Sequence, residues 1–102
     1  MKRETEFREF LTTRKRSSRT GEFFSSRVAR DVVTRCKLVE RELDVELSKA
    51  NVGQFRGLTE IIDAIRERKL SSTDASPYAH NDLINSIKIY SEFLRFKTTA
   101  SA

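Results

Sequence analysis

Between Ser26 and Leu43 the apolar residues recur every three or four positions, and cations recur at the same spacing on the other side. Val28, Val32, Cys36, Val39 and Leu43 share one face at helical periodicity, with Ala29 and Val33 at its margin, the pattern of a helix that buries one stripe. Arg27, Arg30, Thr34, Lys37 and Arg41 fall opposite. No acidic residue shares that inner stripe, although Asp31, Glu40, Glu42 and Asp44 are close by in sequence. A face meant only for solubility mixes signs, so this one predicts an anionic partner.

The charge of the whole chain leans the same way. Its net charge is +5, and residues 1–43 hold all of it, with twelve Lys and Arg against seven Asp and Glu, while residues 44–102 hold eight of each. Such an imbalance suits nucleic acid, an anionic membrane surface or an acidic protein patch.

At 102 residues, 37% of them apolar and seven of them Phe, the chain suits one domain with a modest core. A single cysteine excludes an intramolecular disulfide and a thiolate zinc site. The expected setting is therefore reducing and cytoplasmic, with Cys36 as a small core residue. No apolar run approaches the length of a membrane span, and charge begins at Lys2, so neither insertion nor secretion is expected.

Four helical segments and little sheet follow from the periodicities. Residues 3–13 place Phe7, Phe10 and Leu11 on one side, with Glu4 and Glu6 near the positive end of the helix dipole. Arg14, Lys15, Arg16, Ser17, Ser18 and Arg19 begin a basic loop or arm over 14–21. Phe23 and Phe24 then precede Ser25 and Ser26, either of which suits the N-cap of the long helix. That helix ends between Leu43 and Ala50, ahead of the stop signals Asn51 and Gly53.

A third helix is expected from about Leu58 to Lys69, starting at Gly57 or Thr59 and burying Leu58, Ile61, Ile62, Ile65 and Leu70. Residues 71–77 read as a linker ended by Pro77. The last helix runs from Asn81 or Asp82 to Phe96 with two apolar stripes: Leu83, Ile87, Tyr90 and Leu94, and separately Ile89, Phe93 and Phe96. It is either wedged between neighbours or has a patch to offer a partner. Residues 1–97 form the domain, and 98–102 a frayed tail.

The segment Arg27 to Leu43, a shorter helix, a Ser- and Pro-containing linker, and the run Tyr78-Ala79-His80-Asn81-Asp82-Leu83 leading into Ser86-Ile87-Lys88-Ile89-Tyr90 and Phe93-Leu94 together resemble the core-binding domain of phage integrases and other tyrosine recombinases. The resemblance spans about residues 20–97. It implies an all-α, four-helix, SAM-like domain that grips duplex DNA. The Arg, Lys, His and nucleophilic Tyr set of that family's catalytic domain has no counterpart here, so an isolated binding module or an excised domain is implied.

Residue inventory argues against catalysis. His80 is the one histidine, placed where a cap or surface residue belongs. Gly53-Gln54-Phe55-Arg56-Gly57 lacks the Lys and Ser or Thr of a phosphate loop. Glu60, Asp63 and Glu67 share a helix side but read as a solvated face beside Arg66 and Lys69, so no metal, cofactor or small-molecule substrate is expected.

Two binding expectations remain. In the first, Arg27, Arg30, Lys37 and Arg41, with Thr34 as a neutral donor, contact duplex phosphates while Arg14, Lys15, Arg16 and Arg19 reach along the backbone or into a minor groove. Asn81, Asn85 and Gln54 are the amides placed for base contacts. In the second, the chain is a small phage-type inhibitor or regulator of a nucleic-acid-binding enzyme, meeting an acidic surface with its cations and using Ile89, Phe93 and Phe96 as an apolar anchor. Self-association into a homo-oligomer is compatible with either.

Overall fold

The computed structural model describes residues 3–16, 20–67 and 80–101, and in the last helix the side chains of 81–95. Four helices follow in order among these residues: α1 (Glu4–Thr13), α2 (Ser26–Leu43), α3 (Phe55–Glu67) and α4 (His80–Ser101). The fold is all-α, and the one β-type pairing among the described residues is an isolated antiparallel bridge between Arg16 and Phe23. Leu70 and the linker at 71–77 lie outside the described residues.

Helix α4 is the centre of the arrangement, because α1, α2 and α3 all pack on it while α1 also packs on α2. The described members of both apolar stripes are thereby used. Leu83, Ile87, Tyr90, Phe93 and Leu94 are all buried, and Ile89 packs against the same core. An aromatic cluster joins α1 to α4, with Phe7 meeting Tyr90 edge-on at 4.9 Å and lying 5.3 Å from Phe93, which is itself 5.4 Å from Phe10. Rings at these separations add to the stabilisation that comes from their buried area. The helical backbone of α4 continues to Ser101, past position 98 where a frayed tail was expected.

Helix α2 starts where Ser25 caps it, its side chain accepting from the Val28 N–H at 3.2 Å. Its buried arc is Ala29, Val32, Val33, Cys36 and Val39. The arc is rotated from the expected stripe, because α1 covers α2 as well as α4 does. Val28 falls outside it and is 43% exposed, and Leu43 is only partly buried. The Cys36 thiol donates to the Ser86 carbonyl at 3.5 Å where α2 meets α4.

The end of α2 uses no glycine. Asp44 takes a left-handed conformation (φ 52°), with its N–H directed to the Arg41 carbonyl at 3.4 Å and the Val45 N–H to the Glu40 carbonyl at 3.0 Å. This double bond pattern satisfies the last carbonyls of the helix. Glu40 then holds the next stretch by accepting from the Leu47 N–H at 2.9 Å.

Asn51 organises the loop that follows. Its side-chain oxygen accepts from the N–H groups of Ser48 (3.0 Å) and Val52 (2.6 Å), and its amide donates to the Glu46 carbonyl (2.7 Å). Helix α3 therefore begins at Phe55, ahead of the expected Leu58, with the Leu58 N–H bonded to the Gln54 carbonyl at 2.9 Å. Gly57 is needed in its first turn, since a side chain there would strike the Asn51 carbonyl. Ile61, Ile62 and Ile65 are buried as expected, and Leu58 partly so.

Candidate nucleic-acid interface

All five positions of the α2 stripe, Arg27, Arg30, Thr34, Lys37 and Arg41, are exposed. They lie opposite the buried valines because a single helical period fixes both sets. Beside them, a cleft of about 320 Å³ opens between α1 and α2, lined by Arg8, Glu9, Thr12, Ser26, Ala29 and Arg30. Arg8 is a cation of this surface that sequence reasoning missed. Its place became visible only once α1 was docked on α2.

The stripe is not uniformly positive. Lys37 Nζ lies 2.6 Å from Glu4 Oε1, and Arg8 reaches the other oxygen of the same carboxylate at 2.9 Å. The Lys37 ammonium donating to it holds the Glu4 carboxyl below the usual carboxylate range, against the opposing effect of partial burial. Arg41 touches its sequence neighbour Glu42 at 3.4 Å, a long and exposed pair that constrains it little. Arg27 and Arg30 form no ion pair among the described residues. The expectation of a stripe free of carboxylates is thus corrected at Lys37, where α1 brings one across.

The basic segment after α1 is not a free arm in its described part. Lys15 N–H bonds to the Phe10 carbonyl, and its ammonium pairs with Glu92 of α4 at 2.8 Å. Arg16 stacks on Phe23 at 4.5 Å and donates to the Gly21 carbonyl at 2.9 Å. The Phe24 N–H donates to the Leu11 carbonyl at 3.1 Å, closing the loop. Lys15, half-buried, and the exposed Arg16 are thus each tied into local contacts, while Arg14 is exposed. Ser17, Ser18 and Arg19 lie outside the described residues.

The apolar anchor expected on the last helix is also corrected. Phe93 is 1% exposed and Ile89 packs on the core, because α4 has neighbours on both sides. The side chains of Phe96 and His80 lie outside the description.

Among the described side chains of α4, the exposed ones form one narrow strip: Asn81, Asn85, Lys88, Glu92 and Arg95. Two clefts of about 350 Å³ each flank it, one reaching Phe55 and Leu58 of α3, the other reaching Phe10, Arg14 and Arg16, and Glu92 lines both. Of the strip, the sequence had singled out Asn81 and Asn85 alone, as amides for base contacts. Phe55 beside it, 84% exposed, was not singled out.

Burial pushes the Cys36 thiol up and the Tyr90 phenol up to about 12, so both act as packing groups and neither is an activated nucleophile. No cluster of metal-ligating side chains occurs among the described residues, and none of their helices is long and apolar enough to cross a membrane. Comparison with protein families, curated proteins and solved structures finds no match to this chain.

Proposed function

We propose that this chain is a non-catalytic DNA-binding module that grips duplex phosphates with the outward face of α2, in the manner of the core-binding domains it resembles. The observation that supports this best is the joint exposure of Arg27, Arg30, Lys37 and Arg41 on the side opposite the core, with Arg27 and Arg30 carrying no ion pair among the described residues. A guanidinium can bond two phosphate oxygens at once, which suits arginine to this role. Thr34, between them, can donate its hydroxyl to a further phosphate oxygen. The reading places the module in the reducing cytoplasm, where Cys36 stays a thiol.

The test is binding of a labelled duplex of arbitrary sequence at low salt. Arg27→Glu combined with Arg30→Glu should weaken it by about tenfold or more. Arg66→Glu, an exposed charge change on α3, should leave it unchanged. Equal effects of the two variants would overturn the assignment of the surface.

A further inference from the structure

We infer that the exposed strip of α4, with Phe55 at one side and Arg14 at the other, is a track for single-stranded nucleic acid in which Phe55 stacks on a base. This goes beyond duplex binding and does not depend on the α2 face. The strip is continuous, since the cleft reaching Phe55 and the cleft reaching Arg14 both use Glu92 as a wall. Lys88 and Arg95 line the first cleft, and Arg14 and Lys15 the second. Among the described residues Glu92 is the one carboxylate lining either cleft, and Lys15 neutralises it at 2.8 Å. With Glu92 so paired, Lys88 on one side and Arg14 on the other leave the track positive on both sides of its centre.

Phe55 supplies what a phosphate-only surface lacks. An apolar ring 84% exposed at the first position of a helix gains nothing for the fold from its own burial. Yet its backbone is firmly placed, because Asn51 ties the preceding loop together and Gly57 lets the first turn of α3 sit against it. A ring projecting from a backbone held in this way offers a flat face for a base, and cations along an adjacent groove follow the strand that carries the base. An acidic peptide would use the same cations, but its carboxylates offer no flat face to the projecting Phe55 ring, as a base does.

The test uses the full chain and a labelled oligothymidylate of about twelve nucleotides, within the span such surfaces cover. The wild type should bind at low salt, and Phe55→Ala should weaken binding by about tenfold, as should Lys88→Glu. Because Phe55 and Lys88 are exposed, thermal unfolding should be unchanged in both variants. Arg27→Glu with Arg30→Glu should lower duplex binding while oligothymidylate binding stays within about threefold, which separates this track from the α2 face. Absence of oligothymidylate binding, or insensitivity to Phe55→Ala, overturns the inference. So does binding of an oligoglutamate peptide that equals or exceeds oligothymidylate binding and is lost in the same variants, since that outcome assigns the track to an acidic protein partner.

Discussion

Lys37 of α2 and Glu4 of α1 are joined by a 2.6 Å ion pair that sets a carboxylate into the edge of the otherwise basic stripe. The same carboxylate holds Arg8 at 2.9 Å, so two cations of the surface share one counter-charge. Packing of α1 onto α2 thus lowers the charge that the stripe can offer to a partner.

Removing that counter-charge should strengthen the proposed duplex binding while costing some stability. Glu4→Gln releases Lys37 and Arg8 toward solvent, and duplex affinity at low salt should rise. The slope of log K against log salt should steepen by about 0.9 for each additional phosphate engaged. Anisotropy titrations at several salt concentrations would show this. An unchanged slope would place Lys37 outside the contact surface.

The pH dependence of folding should carry the same pair. Because the folded Glu4 carboxyl is held below its ordinary value, its contribution is fully present above the usual glutamate range and is lost as pH falls through the lowered value. Thermal unfolding followed from neutral pH to about pH 3 should therefore show a smaller acid-side loss of stability in Glu4→Gln than in the wild type.

Phe7 and Phe93 should behave as core residues and not as partner contacts. Phe7→Ala empties the centre of the cluster that joins α1 to α4 and should cost about 3–5 kcal/mol in urea unfolding. Phe93→Ser removes the ring that meets Phe7, Phe10 and Tyr90 and should be at least as severe. A Phe93→Ser protein of native stability would contradict the packing described.

Two glycine exchanges should act in opposite directions. Gly57→Ala, ordinarily favourable in a helix, should destabilise because the new methyl meets the Asn51 backbone carbonyl. Asp44→Gly should stabilise by about 0.5 kcal/mol, since Asp44 holds a left-handed conformation that glycine adopts without strain. Paired thermal melts would show the two midpoints moving apart.

Much of this architecture is legible in the residues themselves. Val32, Cys36 and Val39 of α2 and Ile61, Ile62 and Ile65 of α3 are buried as their spacing demands, because one helical period decides which side faces the core. Ser25 announces the start of α2 for an equally local reason. The start of α3 does not announce itself: Phe55 and Arg56 point to solvent, and the turn that launches them depends on side-chain bonds from Asn51. Contacts between elements were hidden for a different reason. The pairs Lys37–Glu4 and Lys15–Glu92 exist only after α1 has docked on α2 and α4, and Arg16 finds Phe23 only when its loop closes. Whether the Phe93 stripe would be wedged between neighbours or offered to a partner stayed open, because nothing in the sequence of α4 says how many helices will surround it.

The central claim is that α2 presents its cations to DNA phosphate, and the salt dependence of duplex binding tests it most directly. With Lys37 and Arg8 sharing Glu4, about three phosphates should be neutralised, which gives a slope near −3 for the wild type and a loss of about two in Arg27→Ala with Arg30→Ala. A wild-type slope near zero, or one that the double substitution leaves unchanged, would contradict the account.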